Sequence, residues 1–233
     1  GPNDYSVPVI KVEKKTGGIM AVAFGYACHS TVLNFYQICG DYPGFAQIEL
    51  ENLYPGATAL FFQGAGADQN PLPRRSFPLA RQYGQTLSAA VYRVLKENMK
   101  RIEPILKTAY SEIDLQFEGN PPTRQELLGH MQDTSSTAPY LKLMARTLVS
   151  RLDKGEIFRN GYHYPCQVWK LGDQVLMALG GELVIEYALE LKKMFGQNIF
   201  VLGYTNDVMA YIPSETILNE GGYEGTRSVF FTT

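Results

Sequence analysis

Residues 19–31 read Ile-Met-Ala-Val-Ala-Phe-Gly-Tyr-Ala-Cys-His-Ser-Thr, an apolar run from Ile19 to Ala27 that delivers Cys28, His29, Ser30 and Thr31 into a loop. A run this apolar, rich in β-favouring residues and only eight or so residues long, predicts a central strand covered on both faces. Upstream, Val7 to Val12 is a second β-rich run. The intervening Lys14-Lys15-Thr16-Gly17-Gly18 predicts a hairpin through a glycine-containing turn. Downstream, Thr58 to Gln63 (TALFFQ) is a short buried strand that runs straight into Gly64-Ala65-Gly66-Ala67-Asp68-Gln69-Asn70-Pro71. Two apolar strands, each emptying polar residues from its end, already point to a sheet with a site outside the strand ends.

The elements around them alternate. Pro43 to Leu53 has helical spacing through Phe45, Ile48 and Leu53, and Phe77 to Met99 is the best long helix, with Leu79, Tyr83, Leu87, Val91 and Leu95 four apart. Tyr110 to Phe117 alternates apolar and polar residues and reads as a strand with one exposed face. Gln125 to Leu152 reads as helical, broken near Pro139. Cys166 to Leu171 and Gln174 to Leu179 form a second hairpin across Gly172-Asp173. Glu182 to Phe195 reads as a helix, Asn198 to Tyr204 as a buried strand, and Ile212 to Asn219 as a short helical turn. Strands and helices alternate without a strict βαβ rhythm. The expected class is α/β or α+β, a mixed β-sheet with flanking helices and a site at strand ends.

Composition bounds the function. The chain has 233 residues, 45% apolar and 19% charged, with 15 Tyr, 12 Phe and 22 Gly, so it is globular and long enough for a sizeable core. With 21 basic and 23 acidic residues the net charge is -2, which gives no field or basic patch for nucleic acid. The apolar stretches reach about ten residues, short of the ~20 that span a bilayer. Cys28, Cys39 and Cys166 do not make a complete disulfide framework, show no CxxC spacing and are compatible with an oxidising or a reducing compartment. The chain opens Gly1-Pro2-Asn3-Asp4, without an initiator methionine or a signal peptide, and enters a strand almost at once. A removed tag or a piece of a longer polypeptide is expected.

Four strand ends carry polar groups: His29-Ser30-Thr31, the Gly64 to Pro71 loop, Gly180-Gly181-Glu182, and Tyr204-Thr205-Asn206-Asp207. Each has a plain structural explanation. A histidine at a strand end is commonly a satisfied near-core residue, Glu182 in a first helical turn favours the helix dipole, Asn206-Asp207 is an ordinary turn, and Gly-Ala-Gly-Ala lacks the ending of a phosphate loop. His163 reads as a loop or surface residue.

Taken together, the segments resemble neutral/alkaline non-lysosomal ceramidases. Tyr26-Ala27-Cys28-His29-Ser30-Thr31 is similar to the family's "xxxHxT" segment. Gly40-Asp41-Tyr42-Pro43-Gly44-Phe45-Ala46 resembles "(A/G)DxxGYA", and Phe62 to Pro71 resembles the "Q…GDxSPN" loop. Gly181-Glu182 stands where the family has "PGE". Thr205-Asn206-Asp207 through Tyr211, then Gly222-Tyr223-Glu224-Gly225, resembles "NxYxxY…YEG". Five segments in the right order cover nearly the whole chain.

The resemblance implies a zinc amidase that cleaves the N-acyl bond of ceramide or a related N-acyl lipid. It implies His29, Glu182 and Tyr211 as metal ligands, and Tyr223 as a hydrogen-bond donor near the substrate carbonyl. Imidazole nitrogen and hard oxygen suit catalytic Zn²⁺. Two departures qualify it. The family's first zinc histidine, in a "THxH" motif, has no counterpart upstream of His29. The expectation is a single ceramidase-like catalytic domain over residues 1–233, its C-terminal half, with the N-terminal half as a possible partner. The family's serine aligns with Asn70, which is neither nucleophile nor base. Zinc-bound water is then the expected attacking group, with Asp68 either accepting the proton or bonding loop N–H groups. The other reading of these departures is a ceramidase-like binding or structural module without catalysis. Relatives commonly carry export signals, and any such signal would sit in the expected missing part, so the location, secreted or periplasmic among the candidates, stays open. Met131, Tyr140, Leu143 and Met144 are candidates for lining an acyl channel, or simply for core.

Overall fold

A computed structural model describes residues 1–117, 120–135 and 138–226. It divides into two units. The first comprises Gly1–Ser111 with the described residues from Pro165 onward, and the second comprises Glu112–Tyr164.

In the first unit, β1 (Val9–Glu13) pairs antiparallel with β2 (Ile19–Tyr26), which pairs parallel with β3 (Thr58–Gln63). The expected central strand is therefore central, and Phe24 and Val22 are almost fully buried. α1 (Asp41–Leu53) and α2 (Phe77–Lys96) cover this sheet with Ala46, Leu50, Leu87 and Val91. α2 starts at Ser76, whose side chain accepts from the Leu79 N–H, and it stops at Lys96 rather than Met99. Because β2 and β3 run the same way with Tyr26 opposite Gln63, the two loops that follow leave the sheet side by side.

A second sheet has the order β4 (Leu106–Gln116), β5 (Gly161–Leu171), β6 (Gln174–Leu179), β8 (Phe200–Leu202). The β5–β6 hairpin turns at Gly172, as its sequence required, and β6 pairs parallel with β8. An isolated bridge joins Gly64 to Leu202. A third sheet is two residues wide, with β7 (Glu182–Leu183) parallel to β9 (Tyr211–Ile212). α5 (Ile185–Phe195) packs Ile185 and Ala188 with Leu183, Ile199 and Val201. The class is thus mixed α/β, with three sheets in place of the one expected.

Three differences from the sequence reading matter. Glu182 is not in a helix: it lies on β7, and α5 begins three residues later. The Ile212 to Asn219 turn resolves into β9 followed by α6 (Glu215–Glu220), which Ser214 caps by accepting from the Ile217 N–H. β4 is longer than expected, and it is exposed along its whole length rather than on one face.

The second unit is a helix pair with its own small core. α3 (Arg124–Gln132) begins with a capping box between Thr123 and Glu126, and α4 (Ala138–Asp153) places Pro139 in its first turn, where proline is tolerated. The expected break between them falls partly on residues 136–137, outside those described. Leu127, Ala145, Leu148 and Val149 are buried together, with Met131 and Met144 packed against them, and Leu143 is exposed. Met131 and Met144 are therefore core residues. The Tyr140 side chain lies outside the described ones. His163 is an exposed residue of β5 paired with Asp114.

Candidate functional site

The loops after β2 and β3 are stitched together before any side chain is considered. The His29 N–H donates to the Gln69 carbonyl (2.9 Å), and the Gly64 N–H donates to the Tyr26 carbonyl (3.0 Å). Gly66 permits this, because a Cβ there would lie 2.5 Å from the backbone of Ala27 and Cys28. The carbonyl of Cys28, immediately before His29, accepts from the Tyr42 hydroxyl (2.7 Å) and from Gln63 Nε2 (2.9 Å). Asp41 holds the far side of the loop: its buried carboxylate accepts from the N–H groups of Val32, Leu33 and Tyr42. Asp41 and Gln63, legible only as parts of motifs, are thus the groups that aim the His29 loop.

The loops after β6 and β8 meet in the same way. The Gly181 N–H donates to the Asp207 carbonyl and the Glu182 N–H to the Ala210 carbonyl (2.8 and 2.7 Å). The Tyr204 N–H donates back to the Gly181 carbonyl (2.9 Å). Gly181 has φ +70°, and a Cβ on it would strike Ile212 and the Ala210 carbonyl. The two pairs of loops are joined by bonds from Gly203 N–H to the Gln63 carbonyl (3.2 Å) and from Ala67 N–H to the Leu183 carbonyl (3.1 Å).

This lattice brings His29, Glu182 and Tyr211 together. Glu182 and Tyr211 are direct partners in the β7–β9 register, so their side chains share one face. His29 Nε2 lies 2.7 Å from the Ala67 carbonyl and 3.8 Å from Glu182 Oε2, and its ring centroid is 6.4 Å from that of Tyr211. A carbonyl only accepts, so Nε2 carries a hydrogen and the neutral ring keeps its lone pair on Nδ1. Tyr204, which the sequence marked only as part of a strand-end segment and without a role, stands between the two: its hydroxyl is 3.3 Å from His29 Nδ1 and 3.2 Å from Glu182 Oε2. Tyr204 has φ +56°, a strained value for a tyrosine, held by the bonds just described. Burial first, then the Glu182 charge and hydrogen bond, push the phenols of both Tyr204 and Tyr211 well above their ordinary range.

The remaining expected residues have distinct places. Tyr223, half exposed, opens α7 (Tyr223–Thr226) and sets its ring edge-on to Tyr211 at 5.6 Å. Asp68 accepts the Ile185 N–H through Oδ1 (2.8 Å), which satisfies the first turn of α5. Asn70 is exposed, and its Oδ1 accepts from Arg74 (2.7 Å) and from the Thr31 hydroxyl (3.2 Å).

Among the described residues no three His, Cys, Asp or Glu side chains are grouped to hold a metal. The donors of this site fit a cation in two respects. The His29 N–H on a backbone carbonyl is the outer contact that fixes the tautomer of a ligating imidazole. Glu182, only a quarter exposed, has no lysine or arginine within ion-pair distance among the described residues, so no fixed cation balances its charge. An imidazole, a carboxylate and a phenol would serve as three ligands for a divalent ion of the zinc type.

No family model matches the chain, and no curated protein matches it. Solved structures do. The neutral ceramidase from Pseudomonas aeruginosa superposes with a TM-score of 0.66 at 16% identity, covering 96% of this chain and 43% of that one. A ceramidase complexed with C2 superposes with a TM-score of 0.67, also at 16% identity, covering 96% and 44%. The chain thus spans less than half the length of each. At this identity the likeness is one of fold, and the five motif segments fall along almost the whole of the shared length. The chain has a ceramidase-like fold.

Proposed function

We propose that the chain carries part of the active site of a zinc-dependent hydrolase that cleaves the amide bond of an N-acyl lipid, with ceramide or a related lipid as substrate. The observation that carries the reading is the convergence of His29, Glu182 and Tyr211 from the loop after β2 and from β7 and β9, around a carboxylate that no fixed cation balances among the described residues. These three residues would hold the zinc. When bound, zinc supplies Lewis acidity and a water acidic enough to attack at neutral pH.

The chain's own residues do the rest. Tyr204 orients Glu182 by donating its single hydroxyl hydrogen to Oε2. Tyr223, whose ring meets that of Tyr211 edge-on at 5.6 Å, carries the phenol that would donate to the substrate carbonyl as negative charge develops there. Among the described contacts Asp68 is engaged only through Oδ1, which leaves a carboxylate oxygen to accept a proton from the attacking water. Asn70 cannot attack. With Oδ1 committed to Arg74 and Thr31, its amide N–H₂ is the end left for substrate. On the same reading the chain corresponds to the C-terminal half of a ceramidase-like catalytic domain and completes its metal shell with a ligand from the other half, as its coverage of 43–44% of the neighbours suggests.

The test is fatty-acid release from N-lauroylsphingosine by the longest protein containing this chain, with and without chelator. Zinc-dependent release, without a covalent acyl-enzyme on acid quench, is expected. A trapped acyl group on this chain would overturn the water mechanism. Absence of both zinc and release would leave the binding-module reading.

A further inference from the structure

The loop from Pro71 to Ser76 is pinned at three points. The Tyr83 hydroxyl donates to the Pro73 carbonyl (2.7 Å), the Arg75 N–H donates to the Val32 carbonyl (2.6 Å), and Ser76 caps α2. Arg75 has φ +82°, a left-handed value that is strained for a non-glycine residue. An exposed loop needs no such conformation for its own sake. What it achieves here is the placement of Arg74, whose NH1 donates to Asn70 Oδ1 (2.7 Å) and to Thr31 Oγ1 (3.4 Å). Thr31 is two residues from His29, and Asn70 is two residues from Asp68.

Both partners of Arg74 are neutral. Among the described residues it has no carboxylate within ion-pair distance, a lack it shares with Arg75, Arg81 and Arg93; what sets it apart is its anchorage on Asn70 and Thr31. One edge of the guanidinium is thus anchored by neutral oxygens and its positive charge stays uncompensated. The guanidinium fork matches a carboxylate or phosphate, which it can bind through two parallel N–H donors. The Asn70 amide, whose oxygen faces Arg74, carries N–H donors of its own.

We propose that Arg74, with Asn70, is an anion subsite for the head group of the substrate, so that the favoured substrates are N-acyl compounds bearing a carboxylate or a phosphate near the amide. This rests on the amidase reading for the word substrate, but the subsite itself is a matter of binding. The probes are therefore ligands measured by calorimetry: N-lauroylglycine for carboxylate, O-phosphoryl-N-lauroylethanolamine for phosphate, and N-lauroylethanolamine as the neutral reference. The chain should bind at least one of the two anionic probes about tenfold or more tightly than the neutral one, in line with a charged hydrogen bond of ~1.5–3 kcal/mol. Which anion binds more tightly identifies the head group. Arg74→Gln should erase the preference for the anionic probes over the neutral one, while Arg74→Lys, which keeps the charge but not the fork, should restore part of it. Equal affinity for all three probes, or a preference that survives in Arg74→Gln, would overturn the proposal. Hydrolysis of the same probes is scored separately. Anion binding without hydrolysis would count against the amidase reading and leave the subsite standing, and hydrolysis without anion preference would do the reverse.

Discussion

Around His29 the backbone is fixed by hydrogen bonds between strand ends far apart in sequence, whereas α3 and α4 are held by a small core of their own and by local contacts. In the first region Gly66 lets two loops touch backbone to backbone, and Gly64, Ala65, Gly66 and Ala67 are all buried. In the second, Leu127, Ala145, Leu148 and Val149 supply the burial, and the exposed Arg124–Asp153 and Arg151–Glu156 pairs add little. The contrast teaches where precision is invested. Side chains that must hold a set geometry grow from over-determined backbone. The helix pair needs only an apolar face.

The two regions should therefore fail differently. The largest effect is expected for Glu182→Ala, which should lower zinc-dependent turnover by about a thousandfold or more and abolish zinc uptake, with the circular dichroism spectrum unchanged. Leu127→Ala empties a fully buried position in the small core and should cost that region about 2–5 kcal/mol. Hydrogen exchange should speed up between Arg124 and Asp153 while zinc uptake survives. Loss of zinc in this variant would erase the distinction drawn above. Gly66→Ala pushes a Cβ against backbone that has no flexible end to yield, and should cost about 1–3 kcal/mol while impairing zinc uptake. Gly129→Ala, in open space on α3, should have the opposite sign and raise stability by about 0.5–1 kcal/mol.

The smallest effect concerns the N-terminal segment. Burial would raise the Asp4 carboxyl, but hydrogen bonds from Lys192 and Ser6 outweigh it and hold the group below its ordinary 3.8. A depressed carboxylate contributes stability above that value and loses it as pH falls through the folded value. Residues before Val7 should thus become sensitive to protease only below about pH 4, and Asp4→Asn should abolish that pH dependence.

Much of the fold was legible because its signals are local. β2, β3 and β6 are apolar runs bounded by turn residues, and their limits follow the sequence closely, whereas β5 begins at Gly161, five residues before the expected Cys166. Glu182 was not legible as a strand residue. The stretch that follows it carries helical spacing, and nothing nearby reveals that Gly181 turns with positive φ or that Tyr211 pairs with Glu182 from 29 positions on. Tyr204 was hidden for a related reason. Its hydroxyl reaches His29 and Glu182 only because its backbone takes a left-handed value set by long-range bonds. The lone signal available was its position just past a buried strand and Gly203. Asp68 was left between two roles, and the structure fills one of them with the Ile185 N–H.

The central claim, that His29, Glu182 and Tyr211 gather to hold a metal, is tested most directly by zinc X-ray absorption on protein equilibrated with one equivalent of Zn²⁺. A first shell of nitrogen and oxygen at roughly 2.0–2.2 Å, including an imidazole and lost in Glu182→Ala, is the predicted result. No stoichiometric zinc, or a shell containing sulfur from the cysteines, would contradict it.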